Sequence, residues 1–218
     1  MGRSMARQER AVRTRQEVLR AAAEVFDRRG FAAATMSEIL SVAGLTKGAV
    51  YFHFASKEEL AHAVIAEQST WAEQVDWSAP GFQAVIDVSV AYARALLDDP
   101  FIRATVRLVI EHGAFEAPDV EPWRVFIDMA RQLLQRAEEA GDLLPGLDLD
   151  QAAAVVTASF TGIQLTSQVL AGRADLLERI TAWWKLLLPG LVTPERLLTL
   201  DPGGSSRVAA RTAARPAS

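Results

Sequence analysis

The chain has 218 residues, half of them hydrophobic, and a formal net charge of −4. That length buries a real core; the absence of cysteine excludes a disulfide framework and thiolate metal sites, and no apolar run approaches the ~20 residues that a membrane span requires. The charge is uneven: residues 1–60 hold 10 Lys/Arg against 7 Asp/Glu, and the remainder 13 against 20, a basic head on an acidic body that suits a protein touching phosphate at one end.

The N-terminal stretch MGRSMARQERAVRTRQ lacks the apolar core of a secretion signal, so a cytoplasmic protein is expected, with Met5 an alternative start. From there the pattern is helical nearly throughout, and an all-α fold is expected. A first helix covers about Glu9 to Arg29, with Val12, Leu19, Ala22, Ala23 and Phe26 as its apolar stripe and Gly30 as a left-handed cap. Thr35-Met-Ser-Glu38 is a capping-box pattern that opens a second helix to Val42, and Gly44 breaks it. Thr46 caps a short third helix, Lys47 to Phe54, and Ser56-Lys-Glu-Glu59 opens a fourth that runs to about Asp76.

After the Ser78-Ala-Pro-Gly81 break a fifth helix reaches Leu97, and Asp99-Pro100 separates it from a sixth over about 101–112. Pro118 and Asp119 introduce a seventh, ending at Gly141. Asp148 and Gln151 start an eighth over about 149–171, which Gly172 ends. A ninth follows from about Ala174 to Leu188, stopped by Pro189-Gly190, with a short turn of helix near 194–199. Residues 201–218 are Gly, Ser, Ala, Arg and Pro with almost no large apolar side chain, and disorder is expected there.

The informative stretch is TMSEILSVAGLTKGAVYFHF, residues 35–54. Two short helices joined by a glycine turn make a helix-turn-helix. Ile39, Leu40, Leu45 and Val50 are spaced to pack the pair, which leaves Thr46, Lys47, Gly48, Tyr51 and His53 near the outer face of the third helix, while Phe52 and Phe54 are expected in the core. Recognition helices present N-terminal side chains to base edges in the major groove, and Lys47 is able to donate to guanine or phosphate. Lys57 and the first turn of the second helix, with Thr35 and Ser37, suit phosphate, and Arg7, Arg10, Arg13 and Arg15 suit a flexible arm. On the residues alone the pattern also fits an ordinary helical pair, because glycine-turned helix pairs occur in many helical proteins.

Residues Thr35, Glu38, Ile39 and Ala43-Gly-Leu-Thr-Lys-Gly-Ala-Val-Tyr-Phe-His-Phe54, with Ser56-Lys-Glu-Glu-Leu60, resemble the N-terminal signature of the TetR family of repressors. Three longer stretches, MARQERAVRTRQEVLRAAAEVFDRRGF, KGAVYFHFASKEELAHAVIAEQ and GIQLTSQVLAGRADLLERITAWWKLLLPGL, resemble the γ-butyrolactone autoregulator receptors of actinomycetes. The likeness covers most of residues 5–192 and is weakest over 71–120. It implies a tetracycline-repressor-like fold: a flexible arm (1–7), a three-helix DNA-binding domain (8–56), a helical ligand-binding and dimerisation domain (57–200) and a tail (201–218). It also implies a homodimeric repressor of secondary-metabolism genes that sits on a pseudo-palindromic DNA operator and leaves it when a small diffusible signal binds.

Phe82, Val85 and Ser89 on the fifth helix, Ile110 on the sixth, Phe126 on the seventh, and Thr157, Phe160, Thr161 and Gln164 on the eighth offer apolar walls with a few polar groups, which suits a small amphipathic ligand as well as plain core packing. The resemblance further implies that Trp123 stacks on the lactone ring of the signal, the partner being a small lactone, butenolide or furan. The last two long helices, apolar on more than one face, are buried on several sides; by the resemblance they pair with their copies through Val169, Leu176, Ile180, Trp183 and Leu187. A pseudo-receptor repressor that responds to an antibiotic, butenolide or furan signal is the alternative, and the acidic sequence, pI about 5.5, leans towards a true receptor. A helical enzyme or carrier is the rival class. It finds no support in His53, His62 and His112, which lack metal-ligand spacing, or in any phosphate loop or nucleophile motif. No cofactor and no membrane partner are expected.

Overall fold

The computed structural model describes residues 2–67, 71, 78–111 and 120–206, with backbone only for 2–7. Its regular elements are helices: α1 Gly2–Ala33, α2 Met36–Ala43, α3 Lys47–His53, α4 Lys57–Ala66, α5 Gln83–Asp98, α6 Pro100–Ile110, α7 Glu121–Glu139, α8 Leu149–Ala171, α9 Leu176–Leu187 and the short α10 Pro194–Leu197. A single bridge, Leu143 to Val192, is the one strand-like pairing among the described residues. The continuation of the fourth helix to Asp76 and the lead-in at Pro118-Asp119 lie outside the described residues, as do His112 and residues 207–218.

The helix ends follow the side chains that satisfy them. The hydroxyls of Thr35, Thr46 and Ser56 accept the N–H groups of Glu38, Ala49 and Glu59 at 3.2, 3.3 and 3.1 Å, and Asp99 and Asp148 accept at the starts of α6 and α8. Each such cap contributes about 1 kcal/mol. Gly44 ends α2 in the left-handed region (φ 63°, ψ 23°). Gly30 has a positive φ too (73°), but its ψ of 176° makes it a kink within α1, which resumes for one turn to Ala33.

The chain divides into two compact units: residues 1–74 with 98–122, and 75–97 with 123–218. The expected boundary after residue 56 is therefore not where the contacts fall, because α4 and α6 pack with the three N-terminal helices. In the first unit Leu19, Phe26, Ile39, Val50, Leu60 and Leu108 are all fully buried. Val12, expected in the apolar stripe of the first helix, is instead exposed. Polar contacts tie α6 to α1: Arg103 Nε to Asp27 Oδ2 at 2.7 Å, Arg107 Nη1 to the Asp27 carbonyl at 2.7 Å, and the Phe31 N–H to Glu111 Oε2 at 2.8 Å.

The second unit is built on α5, α7, α8 and α9, with Phe82, Leu96, Leu134, Leu176, Ile180 and Trp184 fully buried. Residues 201–205 are not free. Gln83 and Asp201 exchange hydrogen bonds at 3.1 and 2.9 Å, and Ser205 donates its N–H and hydroxyl to the buried Asp87 carboxylate at 2.8 and 2.6 Å. The expected disorder fails here because Asp87, buried on α5, needs donors and this short segment supplies them. Helix α8 is long and apolar enough, by length and composition, to cross a membrane, contrary to expectation, and most of it is left uncovered within its own chain.

The corner between α8 and α9 is held by Asp175. Its carboxylate accepts Arg179 Nε at 2.7 Å and the Ser167 hydroxyl at 2.6 Å, and these bonds lower its pKa to about 2. A carboxylate depressed in the folded state stabilises above its ordinary pKa and loses that contribution as pH falls through the folded value. Thermal unfolding followed between pH 5 and 2 should show the wild type losing more stability than Asp175→Asn, with the gap closing at the acid end. Parallel curves would refute the role of Asp175.

Candidate functional site

The N-terminal unit gathers the DNA-facing candidates. Thr35 and Ser37 are exposed at the start of α2, and Thr46, Lys47 and Gly48 are exposed on the first turn of α3. A β-carbon built on Gly48 would meet nothing within 4 Å, so the surface there is open. Lys47 Nζ lies 5.5 Å from the centroid of the Tyr51 ring, one helical turn on. Tyr51 is exposed and His53 half-buried. Arg13, exposed on α1, pairs with Glu17 at 3.2 Å. Arg7 lies outside the residues whose side chains are described.

Two expectations change. Phe52 is 78 % exposed, whereas Phe54 is buried as expected. The helical period explains this: Val50 and Phe54 are four residues apart and share the buried face, and Phe52 lies about half a turn from both. The spacing already carried that signal. Lys57 does not wait for phosphate. Its Nζ donates to the carbonyls of Phe31 and Ala34 at 2.7 and 3.0 Å and sits 4.4 Å from the Phe31 ring centroid. The last turn of α1 leaves carbonyls without helical partners, and a lysine opposite them satisfies two. Arg28 and Arg29, both exposed, had no sequence signal and flank Glu38 at 3.6 and 3.4 Å.

In the second unit the ligand candidates surround a chain of rings. Phe126 meets Tyr92 at 5.5 Å, Tyr92 meets Phe160 at 5.8 Å, Phe160 meets Trp183 at 6.5 Å, and Trp183 meets Trp184 at 4.2 Å with the rings tilted by 39°. Trp184 in turn is edge-on to Phe82 at 5.7 Å, and its indole N–H donates to Ser89 Oγ at 2.7 Å. Phe82 and Val85 are buried, so they serve as floor rather than open wall. Trp123, Phe126, Thr157, Phe160 and Thr161 are half-buried, and Thr161 is bonded back to the Thr157 carbonyl at 2.9 Å. Ile110 alone among these candidates belongs to the first unit.

A polar cluster adjoins the rings. Gln164 is 2 % exposed, and its Oε1 accepts Arg173 Nη2 at 3.3 Å. Burial pushes the Tyr92 phenol well above its ordinary pKa, and the Arg173 charge offsets part of that rise. Arg173 holds a positive φ of 69° in the α8–α9 turn. Tyr92 was legible by sequence as a pocket residue of the fifth helix, but Arg173 did not stand out, because only the fold brings α5 to this turn.

Of the five expected dimer residues, Leu176 and Ile180 are fully buried within one chain, since they face the core of the second unit. Trp183 and Leu187 are half-buried and Val169 is 80 % exposed. The large apolar side chains left exposed on α8 and α9 are the expected Val169 together with Val155, Leu170 and Leu186.

Residues 18–64 match the family model for bacterial regulatory proteins of the tetR family, and residues 79–193 match the tetracyclin repressor-like C-terminal domain. The chain is 40 % identical to the A-factor receptor protein of Streptomyces griseus, over 95 % of this chain and 74 % of that one. The crystal structure of TylP, a TetR regulator from Streptomyces fradiae, superposes with a TM-score of 0.82 at 41 % identity, covering 94 % of this chain and all of TylP. A γ-butyrolactone receptor structure superposes with a TM-score of 0.76 at 29 % identity, covering 93 % and 99 %.

The tie made by Lys57 yields a test. Lys57→Met keeps the side-chain length and removes both hydrogen bonds, so chemical denaturation should show a loss of about 1–3 kcal/mol. A variant as stable as the wild type would return Lys57 to the list of free surface cations.

Proposed function

The chain belongs to the TetR family of bacterial regulatory proteins and is a DNA-binding transcriptional regulator, not an enzyme; on that footing we propose that it is a homodimeric repressor released from its operator by a small diffusible signal of the γ-butyrolactone type. The observation that carries the ligand reading is the ring chain of the second unit beside buried polar groups, in a chain 40 % identical to an A-factor receptor. Its target genes, on the same footing, are those of antibiotic production, and its place of work is the cytoplasm.

In this reading α3 enters the major groove. Lys47 and Tyr51 reach base edges or phosphate, Gly48 lets the backbone approach, and Thr35, Ser37, Thr46 and His53 hold the backbone. Arg7 and Arg13 extend the contact along the duplex. Phe52 joins them, because an exposed aromatic ring beside the recognition surface suits a thymine methyl or a sugar face. Trp123 and Phe126 close over the ligand, with Ser89, Thr157, Thr161 and Gln164 as its polar neighbours.

The second copy covers the apolar face of α8 and α9. Ala154, Ala158, Gly162 and Thr166 are exposed at four-residue spacing along α8, so two such helices are able to pack at close range. A two-fold contact of this kind sets the spacing of two recognition helices against major grooves about 34 Å apart. The ligand releases DNA only by preferring the DNA-incompetent conformation. To move the population from about 99:1 to 1:99 takes a preference of about 10⁴-fold.

Two measurements test this. A gel shift on the region upstream of the protein's own gene should show a retarded band that a synthetic alkyl γ-butyrolactone abolishes; a band unmoved at saturating lactone would sink the ligand reading. Leu186→Glu with Val169→Glu should sediment as a folded monomer and lose operator binding by at least about tenfold; a dimer of unchanged affinity would overturn the proposed interface.

A further inference from the structure

We propose that the side-chain amide of Gln164 is the donor that recognises a carbonyl-type oxygen of the ligand, held in place for that purpose by Arg173. This rests on the reading of the second unit as a ligand site and names its polar end. Gln164 is 98 % buried on α8, and its Nε2 has no hydrogen-bond partner among the described residues. An amide is able to turn over, but this one is fixed. Arg173 carries only donors, so the atom 3.3 Å from its Nη2 has to be the oxygen. The two N–H bonds of Nε2 are therefore turned away from Arg173, with no acceptor supplied by the described protein. A buried donor left so costs on the order of 1–3 kcal/mol, which is unlike the rest of α8, where buried Ser167 is bonded to Asp175 and Thr161 and Thr166 to backbone carbonyls.

The place of this donor indicates what it takes. Gln164 lies one turn beyond Phe160 on α8 and so shares its face, and Phe160 is a member of the ring chain with Tyr92 and Trp183. Arg173, which orients the amide, also acts electrostatically on Tyr92. Gln164 thus shares a helix face with Phe160 of the ring chain, and its amide lies beside a cation. That suits a small ring bearing an acceptor oxygen, either the neutral carbonyl of a lactone or the carboxylate of a ring acid. A site built to hydrogen-bond an oxygen strongly rejects the analogue that lacks it, because the donor is then buried unpaired.

Three probes with a common tail separate the possibilities: 5-hexyl-γ-butyrolactone, 5-hexylfuran-2-carboxylic acid and 2-hexyltetrahydrofuran, which has no carbonyl. Binding is read by tryptophan fluorescence and operator release by gel shift. The wild type should bind at least one of the carbonyl-bearing probes about tenfold or more tighter than the tetrahydrofuran. Gln164→Met, which keeps the volume and removes the donor, should lose that discrimination while binding the tetrahydrofuran as well as or better than the wild type, with an unchanged or higher Tm. Arg173→Gly keeps the positive-φ turn and frees the amide to rotate, and should reduce the discrimination in part. If Gln164→Met discriminates as the wild type does, or if Nε2 is held by a buried water that no probe displaces, the proposal falls while lactone-driven release stands. If the probes bind with Gln164-dependent discrimination but leave the operator occupied, the repressor reading falls and the Gln164 assignment stands. Failure of every probe to bind the wild type overturns both.

Discussion

The N-terminal unit depends on one carboxylate. Glu111 Oε2 accepts the N–H of Phe31 and Oε1 accepts Nε of Arg107, and the pair occupies the space that a side chain on residue 30 would fill, since a β-carbon there would lie 2.5 Å from Glu111 and 2.8 Å from Arg107. Gly30 therefore answers two demands at once, a positive φ and an open flank. The kink it makes ends the long run of α1 and turns Phe31 back to stack on Phe26 at 6.2 Å, with Lys57 above the same ring. The three N-terminal helices alone lack this clamp, because Glu111 and Arg107 come from the end of α6, nearly eighty residues on. The head that carries Lys47 and Tyr51 is thus completed by a helix outside the helix-turn-helix.

The second unit solves a similar problem with two buried acids. Asp142 accepts the Phe82 N–H at the start of α5 at 2.7 Å and pairs with Arg196 at 3.1 Å, while its carbonyl accepts Thr193. Asp87, one turn along α5, takes Gln83 and Ser205. Buried carboxylates are costly unless every lone pair has a donor; here the donors are a helix N-terminus, an arginine and a C-terminal strap. Their common effect is to fix the N-terminal half of α5, the helix that carries Phe82, Ser89 and Tyr92 into the ring chain. Trp184, with its N–H on Ser89, closes the same circuit from α9. The chain crosses between the units after Gln74, Leu97 and Pro122, so both helices flanking α6 in sequence, α5 and α7, carry ring residues of the second unit.

How much of this the sequence showed depended on range. Caps are local, and Thr35, Thr46, Ser56, Asp99 and Asp148 marked their helix starts within a residue or two. The helix-turn-helix was legible for the same reason, and so was the exposure of Lys47, Gly48 and Tyr51. Phe52 was misplaced although the 3.6-residue period puts it opposite Val50, because an aromatic residue between two others invites a reading by composition. The long-range ties were not legible. Nothing near Lys57 points to carbonyls 23 and 26 residues earlier, and nothing near Asp201 or Ser205 points to Gln83 and Asp87. For the same reason Leu176 and Ile180 were expected at a partner's surface: apolar residues all round a helix say that several faces are covered, not which face is covered by the same chain.

That ambiguity is sharpest on α8, where composition alone fits a membrane span. Its polar residues decide against lipid. Asp148 and Asp150 sit at its start, Gln151 and Gln168 lie exposed near its two ends, and Thr166 lies exposed between them. Lipid leaves such amides without partners, whereas a protein surface supplies partners and admits water at its rim. The buried side points the same way, for Ser167 and Gln164 are engaged by Asp175 and Arg173 from the following turn. The apolar positions left exposed are Val155, Val169 and Leu170 on α8 and Leu186 on α9. Those exposed apolar side chains are what the proposed second copy covers. In that proposal the contact is self-complementary, and a two-fold contact leaves no open surface on which a longer assembly grows.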